Sequence, residues 1–344
     1  MVPMDVRISQ QPPADWDGFV AAHSGASIYL RSGWSLLARD VFRHRVYFLE
    51  ARNADGGLRG ILPLVQQRGL LGNFLTSVAF FNYGGALGDP EAVVGLMERA
   101  RELARELKCS YLELRDVAVR APGWDIRTDK VSMMLDLPES IEMLAKQLGS
   151  KLRSQIKRAE REKVTVKQGG LELLDQFYPV FARTMRDLGT PVYPVKFFRA
   201  ILERFPADTL LVLVEHQGAA AAAGFLVFDG KTAEIPWAAC LNEAKPLGMN
   251  MRLYWELLGA AITRGSQRFD FGRSTVESGT YLFKKQWGAK PLQLHWHRWE
   301  RDAAAAGQPA KEGRLMKIAT SVWQRLPLPI ANLIGPRISP GLPW

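Results

Sequence analysis

The chain of 344 residues is long enough for about two domains, and its apolar fraction of 47% is ordinary for a globular protein. No apolar run approaches the roughly 18 residues of a membrane span, and the N-terminus lacks the basic and then apolar pattern of a secretion signal. The two cysteines, Cys109 and Cys240, are too few for a disulfide framework, so we expect a cytoplasmic protein.

Positive charge is concentrated in two stretches of the sequence. The formal net charge is +10, of which residues 146–167 carry +6 and residues 311–344 carry +4, so the rest of the chain is neutral. Localised cations favour an anionic partner, such as a phosphate group, a nucleic acid or a membrane surface. A solvated helix face would produce the same pattern without any partner.

The first half of the chain is predicted to combine strands and helices. Trp34, Leu37 and Val41 recur at helical spacing within residues 29–42. Turn residues at 53–57 predict a hairpin between two strands. The strands and helices expected besides that first helix are strands at 46–52, 58–68 and 110–116, a third apolar stretch at 78–87 and an amphipathic helix at 90–108.

The second half repeats this order. Its expected elements are strands at 210–216, 221–229, 233–241 and 268–274, with a helix at 250–264 before the last strand. The closing strands of the two halves are 158 residues apart, and the hairpin glycines Gly56 and Gly218 are 162 apart. This near-constant spacing favours a duplicated α/β unit, with chance agreement of a common α/β order as the alternative.

Residues 139–163 link the two halves and predict a basic amphipathic segment. Its apolar residues recur at helical spacing, basic residues occupy most of the other side, and a Gly-Ser pair at 149–150 is expected to divide it into two helices. A helix of this kind can bind RNA, a membrane or a phosphorylated ligand. Two further helices are expected at 171–189 and 194–205.

The chain past residue 300 changes character. A linker rich in alanine precedes a tail that combines Trp, Leu and Ile with Arg and five prolines. Leu315, Ile318, Val322 and Trp323 fit a short apolar helix face. The tail would either contact a membrane surface or a partner, or pack as a strap along its own domain.

The polar loop after the strand at 268–274 is the candidate site. Gly272 and Gly279 permit tight or left-handed backbone geometry, and acidic, basic and hydroxyl side chains lie between them. Aromatic residues interleaved with lysines follow as far as residue 287. Strand ends of this kind often hold the functional site of an α/β fold, although a solvated loop over an aromatic anchor has the same composition.

Two tandem units of hairpin, third strand, loop, helix and closing strand resemble the FemAB-like family of double-GNAT acyltransferases. The most specific stretches are SKLRSQIKRAE (150–160), MRDLGTPVYP (185–194) and FDFGRSTVESGTYLFKKQWG (269–288). They look most like the branch associated with exosortase/PEP-CTERM exopolysaccharide systems, as does the tail segment WQRLPLPIANLIGPRI.

The resemblance implies a mixed α/β (α+β) fold class with two tandem GNAT-like domains, each a mixed sheet flanked by helices in the acyl-CoA N-acyltransferase fold. The divisions expected are a first domain at 1–137, basic linker helices at 138–170, a second domain at 171–300 and a linker with a basic, aromatic tail at 301–344.

The resemblance also implies transfer of an acyl or aminoacyl group to an amine of an anionic cell-envelope or exopolysaccharide precursor. Acyl-CoA or aminoacyl-tRNA would be the co-substrate, without a tightly bound cofactor. The paired Phe-Lys at the site of characterised members corresponds to Phe283 and Lys284. The chain lacks the heptad run of the coiled-coil arm found in FemA-type proteins, and residues 245–250 hold one glycine where an acyl-CoA loop prefers two. The donor, and with it any tRNA contact, is therefore left open.

Direct acyl transfer needs a neutral amine, a positioned carbonyl and charge opposite the developing oxyanion. Lys284 is the candidate for that charge, Asp270 or Glu277 for the proton acceptor if it is buried, and Tyr281 for the proton donor to the leaving group. The candidate substrate-binding residues are Phe283, Arg273, Ser274, Lys151, Arg153, Lys157 and Tyr83.

Other site classes have weaker support in the sequence. His295 and His297 share one face of a predicted strand, but no acid lies nearby, so no metal site is predicted. Hydrolase chemistry is disfavoured because no Gly-x-Ser-x-Gly motif is present and neither cysteine has a neighbouring histidine. DNA is not an expected partner. The competing interpretation is a non-catalytic GNAT-fold module that binds RNA or a membrane surface through its basic helix and tail.

Overall fold

The computed structural model describes residues 5–69, 72–302 and 314–342. The chain forms two compact units, and neither is one continuous segment. The first unit contains Met1–Lys130, Gln293–Lys311 and Pro340–Trp344, and the second contains Val131–Leu292 and Glu312–Ser339.

The helices and strands follow each other in three stretches. The first stretch contains β1 (Asp5–Ser9), α1 (Trp16–Ala22), α2 (Ser32–Phe42), β2 (Arg45–Arg52), β3 (Leu58–Gly69), β4 (Gly72–Thr76), β5 (Leu87–Gly88), α3 (Pro90–Glu106), β6 (Tyr111–Asp116) and β7 (Asp125–Arg127). The second contains β8 (Lys130–Asp136), α4 (Ile141–Gln147), α5 (Ser150–Arg161), β9 (Thr165–Gly169), α6 (Leu174–Asp187), α7 (Val195–Arg204), β10 (Thr209–His216), β11 (Ala219–Asp229), β12 (Thr232–Cys240), α8 (Met249–Thr263), β13 (Arg268–Thr275), α9 (Gly279–Lys285) and β14 (Lys290–Gln293). The last contains β15 (His295–Glu300), α10 (Arg314–Gln324) and α11 (Leu328–Ile338).

The sheet of the first unit has the described strand order β1-β2-β3-β4-β6-β15-β7, with β5 beside β3. The predicted hairpin forms between β2 and β3, β4 pairs with β3 in antiparallel fashion, and β6 lies parallel to β4. Helix α3 connects β5 to β6 and buries its apolar stripe against the sheet, as its period predicts.

The sheet of the second unit has the described order β14-β8-β13-β12-β11-β10-β9. Strands β10 and β11 form the hairpin, β12 is antiparallel to β11, and β13 is parallel to β12 after the crossover through α8. Each unit therefore repeats a hairpin, an antiparallel strand, a crossover helix and a parallel strand. This topology confirms the predicted fold class of two mixed sheets flanked by helices.

The third strand of the first unit differs from the prediction. The apolar stretch at 78–87 was expected there, but β4 precedes it, and most of the stretch is turn and loop. Its side chains are buried by ring packing instead of by strand pairing, since Phe81 stacks on Tyr29 with ring centroids 4.0 Å apart. Phe80 has a φ of +78°, which a regular strand does not allow.

The structural units also differ from the predicted divisions at 137, 138–170 and 171–300. Helices α4 and α5, expected to be a linker, belong to the second unit because Leu144, Leu152 and Ile156 lie in its hydrophobic core. Strand β15 follows the second unit in sequence but pairs with β6 of the first sheet. The residues of β15 predict a strand, but they carry no local signal of which sheet that strand joins.

Candidate functional site

The end of β13 and the short helix α9 form the core of the candidate site. Ser278 caps α9, because its Oγ accepts a hydrogen bond from the backbone N–H of Tyr281 at 3.3 Å. The turn before the cap contains Glu277 in a left-handed conformation, with a φ of +62°. The Ser-Gly pair of the loop therefore begins a helix, which directs Lys284 towards β13.

Lys284 lies in the interior of this helix-strand junction. Its side chain is 93% buried, since only 7% of its surface is exposed. The Nζ atom donates hydrogen bonds to the carbonyl oxygens of Gly272 and Arg273, both at 2.9 Å. Gly272 has a φ of +75°, a conformation that favours glycine and orients its carbonyl at the strand end. An ammonium group is thus fixed against the backbone of β13.

The charge of Lys284 is set by burial and by three neighbours. Burial lowers the pKa of Lys284 to about 8, and the nearby Arg273 guanidinium acts in the same direction. The carboxylates of Asp270 and Glu234 raise that pKa, but their effect is smaller than that of desolvation. The group therefore carries a proton at neutral pH and loses it in a range where an ordinary lysine is still charged.

Asp270 is fully buried and its Oδ1 atom accepts two hydrogen bonds. Ser132 Oγ of β8 donates at 2.5 Å and the backbone N–H of Gly272 donates at 2.7 Å. The same glycine therefore accepts a hydrogen bond from Lys284 with its carbonyl oxygen and donates one to Asp270 with its N–H. This arrangement lets the carboxylate position the Gly272 backbone and offset part of the charge of Lys284.

Aromatic rings form the floor beneath the helix-strand junction. Phe283 packs edge-on against Tyr254 of α8 with centroids 4.9 Å apart, and Tyr254 stacks on Phe271 at 5.6 Å. Tyr281 is half-buried against the same core and lies one helical turn before Lys284. Three of the predicted residues, Tyr281, Phe283 and Lys284, are therefore presented by a single short helix.

The remaining loop residues have different environments. Arg273 is half-buried, whereas Glu277 is exposed and lacks the burial on which its role as a proton acceptor depends. Ser274 is buried, and its Oγ atom has no hydrogen-bond partner among the described residues. A buried hydroxyl without a partner is costly unless a ligand or water satisfies it.

The predicted cations of α5 lie on its outer side. Lys151 and Lys157 are exposed, whereas Leu152, Ile156 and Ala159 face the core. Arg153 is exposed, but its guanidinium donates to the carbonyl oxygens of Ala145 and Leu148, at the end of α4. Of these three candidates, Arg153 thus has a structural contact that a substrate would have to replace.

Tyr83 belongs to the first unit, in the loop between β4 and β5. Its backbone carbonyl accepts a hydrogen bond from Ser27 Oγ at 3.2 Å. The ring of Phe81, two residues before it, lines a small crevice of about 10 Å³, which has room for about one water molecule. The other lining residues are apolar or hydroxyl side chains of the same unit, so nothing in the crevice itself selects an anion.

Two buried residues of the site were missed by sequence reasoning. Ser132 binds Asp270, but its strand β8 was not predicted, so no signal pointed to it. Glu234 is buried on β12 and pairs in register with Asp270 on β13. An acidic residue inside an apolar strand pattern is unusual, and this could have identified Glu234.

The described residues contain no group of three or more His, Cys, Asp or Glu side chains placed to hold a metal ion. His297 is buried and its Nε2 atom accepts a hydrogen bond from the backbone N–H of Arg120 at 3.0 Å. None of the helices that the structure describes combines the length and the hydropathy needed to span a bilayer.

Comparison with known proteins connects this geometry to a domain family. Residues 146–285 match the family described as the acetyltransferase (GNAT) domain, and the match includes β13 and Lys284. The search of curated protein sequences gives no match.

Solved structures share the fold at low sequence identity. FemX aligns with a TM-score of 0.62 at 14% identity, over 84% of this chain and 96% of FemX. A tandem GNAT protein from the clavulanic acid biosynthesis pathway aligns with a TM-score of 0.57 at 12% identity, over 87% of this chain and 98% of that one. L-PGS from Bacillus licheniformis aligns with a TM-score of 0.57 at 12% identity, over 92% of this chain and 98% of L-PGS. The chain thus has two GNAT-like domains, and the second contains the matched acetyltransferase domain.

Proposed function

We propose that the protein is a FemAB-like N-acyltransferase that transfers an acyl or aminoacyl group to an amine of an anionic cell-envelope or exopolysaccharide precursor. The observation that carries this proposal is the buried ammonium of Lys284 at the end of β13, inside a region that matches a GNAT acetyltransferase domain. The exosortase-associated branch stays a prediction from the sequence stretches that resemble it.

The reaction requires no nucleophile from the protein. The neutral amine of the acceptor attacks the carbonyl carbon of the donor ester or thioester, a C–N bond forms, and the carbonyl oxygen becomes negative. The C–O or C–S bond to the donor then breaks, and the proton lost by the amine neutralises the leaving group. Lys284 supports the negative oxygen, since a preorganised cation in a poorly solvated site stabilises this transition state.

The ammonium group of Lys284 has three N–H donors, and two of them donate hydrogen bonds to backbone carbonyl oxygens. The third N–H is available to the oxyanion. The buried hydroxyl of Ser274, which has no partner among the described residues, is a second donor at the same strand end. Tyr281, one helical turn from Lys284, is the proposed proton donor to the leaving group. Phe283 is proposed to line the pocket, and Arg273 is proposed to bind an anionic group of the substrate.

Asp270 is proposed to position the site instead of removing a proton from the amine. Its Oδ1 atom already accepts from Ser132 and Gly272, and the carboxylate is fully buried. Glu277 is exposed and would act as a proton acceptor only through solvent. The incoming amine therefore needs to be neutral before it binds.

The donor is the part of the proposal with two candidates, acyl-CoA and aminoacyl-tRNA. Gly248 precedes the first turn of α8, where a GNAT domain would bind the pyrophosphate of acyl-CoA. A side chain added at Gly248 would meet the carbonyl oxygen of Gln155 at 2.8 Å, so α5 lies close to this position. The close approach leaves less room for a pyrophosphate and favours the aminoacyl-tRNA.

The exposed lysines of α5, Lys151 and Lys157, are proposed to bind the phosphates of the acceptor or of the tRNA. The alternative remains a non-catalytic GNAT-fold module, in which these lysines would bind RNA and the buried lysine would have a structural role only.

Mass spectrometry of reaction mixtures tests the proposal. The purified full-length protein would be incubated with acyl-CoA or aminoacyl-tRNA together with lipid-linked amino sugars. The proposal predicts that the acceptor gains the mass of the acyl or aminoacyl group with one donor class, and that Lys284→Ala, although folded, forms no product. RNA binding without product from any donor would support the non-catalytic alternative.

A further inference from the structure

Helix α11 exposes three of its large apolar residues. Ala331 and Gly335, one turn apart, are buried against the second unit, and a side chain added at Gly335 would meet the backbone N of Val192 at 3.0 Å. Ile330, Leu333 and Ile334 are exposed by 43%, 61% and 36%. Their spacing of i, i+3 and i+4 places them on one side of the helix, so the small residues allow close packing and the large ones form an exposed stripe.

Helix α10 also exposes apolar residues. Ile318 and Val322, also one turn apart, are exposed by 51% and 54%. The two tail helices are held on the second unit by specific contacts, since Arg186 donates a hydrogen bond to the carbonyl oxygen of Leu326 at 2.8 Å and Thr320 packs against Gly189. The exposed residues therefore belong to a docked segment and not to a loose end. We call these five exposed residues of α10 and α11 the tail face: Ile318, Val322, Ile330, Leu333 and Ile334.

The tail segment itself carries charge of one sign. Residues 314–342 contain four basic residues and no acidic residue. Arg325 and Arg337, among these, are exposed, and Arg337 lies in α11, one helical turn after Leu333. A second copy of the chain would bring like charges together, which disfavours a dimer through this face. RNA binding would call for stacking aromatics, but the exposed side chains of the face are aliphatic. An aliphatic stripe with a cationic rim matches an anionic lipid surface.

We propose that the tail face docks on the surface of a membrane that contains anionic lipids, with α10 and α11 lying in the plane of the interface. Each helix has 11 residues, which suits an interfacial position. The aliphatic residues enter the boundary between headgroups and acyl chains, and the arginines bind lipid phosphates. This inference concerns a surface apart from the Lys284 site and stands independently of the acyl-transfer reaction.

Vesicle co-sedimentation of the full-length protein tests the proposal. Vesicles of phosphatidylcholine with phosphatidylglycerol should sediment the protein, and vesicles of phosphatidylcholine alone should not. The double variant Leu333→Glu/Ile334→Glu should reduce the partition coefficient by roughly a hundredfold or more, because two aliphatic side chains lose their apolar surroundings. Arg325→Gln/Arg337→Gln should reduce it by roughly 30-fold, because each cation near an anionic surface contributes about 1 kcal/mol.

Matched controls separate the tail face from general effects of charge and hydropathy. Val94→Glu/Val119→Glu replaces two exposed apolar residues of the first unit, and Lys196→Gln/Lys231→Gln removes two exposed cations elsewhere. Both controls should bind vesicles as the parent protein does. Circular dichroism confirms that each variant is folded, and the arginine pair remains a test if the glutamate pair does not fold.

Several outcomes would overturn the proposal. Equal sedimentation with both vesicle types, or an equal loss of binding in the matched controls, would contradict a specific role of the tail face. A parent dimer that dissociates in Leu333→Glu/Ile334→Glu would show that a second copy of the chain covers the face. RNA binding that this variant abolishes, with vesicle binding unchanged, would show that RNA is the partner.

Discussion

The titration of Lys284 is the property of the site that the structure predicts most sharply. Burial lowers its pKa from the ordinary 10.5 to about 8, although Asp270 and Glu234 act in the opposite direction. At 1.36 kcal/mol per pKa unit, the lowering corresponds to about 3 kcal/mol that disfavours the charged form in the folded state. A rise in pH should remove the proton of Lys284, and the substitution Asp270→Asn should shift its pKa.

The sign of the effect on stability follows from proton linkage. The pKa of Lys284 is lower in the folded protein than in the unfolded chain, so the unfolded state binds more protons between pH 8 and pH 10.5. The contribution of this group to the free energy of unfolding therefore increases as the pH rises through that window, by up to about 3 kcal/mol. Urea denaturation at a series of pH values should show this increase for the parent protein and not for Lys284→Met.

Lysine-selective ¹³C NMR gives the direct assay, with the resonance of Lys284 assigned by its absence in Lys284→Met. We expect a titration midpoint near pH 8, and a lower midpoint in Asp270→Asn because the carboxylate that raises the pKa is lost. Asp175→Asn is the matched control, since the Asp175 side chain is 88% exposed, and it should leave the midpoint unchanged. A midpoint close to that of an exposed lysine, or a higher midpoint in Asp270→Asn, would refute the reasoning.

Three further predictions concern stability and reactivity. Asp270→Ala should lower the free energy of unfolding in urea by about 3–5 kcal/mol, because it leaves the buried Lys284 uncompensated and removes the acceptor from Ser132 and Gly272. Gly259→Ala, inside α8, should raise the free energy of unfolding by about 0.5–1 kcal/mol, because alanine favours a helix over glycine. The added Cβ has room, since it would meet only Ile141 Cδ1, at 3.5 Å. Cys109 and Cys240 should not react with iodoacetamide at pH 8 in the native protein, because both thiols are buried and burial raises their pKa values to about 11 and about 12.

Each of these predictions has a clear contrary result. A loss below 1 kcal/mol in Asp270→Ala would show that the carboxylate has little part in the junction. A destabilised Gly259→Ala would mean that α4 and α8 pack more closely than described. Rapid alkylation of either cysteine in the folded protein would contradict its burial.

Much of the fold follows from local patterns in the sequence. The hairpin of β2 and β3 is specified by turn residues between its two strands, and the crossover helix α3 by its 3.6-residue period. The Gly-Ser pair at 149–150 separates α4 from α5 as predicted. In each of these elements the information lies within a few neighbouring residues.

Other elements depend on partners that are distant in sequence. Strand β15 was predicted as a strand, but its place beside β6 depends on a pairing across about 180 residues, as between His297 and Leu114. The stretch at 78–87 has a strand-like composition, yet tertiary ring packing sets its conformation. Helix α11 contains Pro336 in its interior, which composition alone would exclude.

The contacts within the candidate site could not be predicted from the sequence. The sequence predicts the loop and its lysine as a candidate site, but the polarity of the loop did not show that Lys284 would be buried or that Asp270 would bind Ser132. Those contacts depend on α9 and β8, neither of which has a strong local signal. The proposed roles of Asp270 and Glu277 therefore depend on tertiary structure.

The rate of acyl transfer by Lys284→Met, measured beside the exposed neighbour Lys285→Met, tests the central claim most directly. Both variants remove one cation from α9, but only the first removes the buried ammonium held by Gly272 and Arg273. We expect kcat to fall by roughly 100- to 1,000-fold in Lys284→Met, as for the loss of one oxyanion donor, and to stay near the parent value in Lys285→Met. Equal rates in two folded variants would contradict the claim that Lys284 stabilises the transition state.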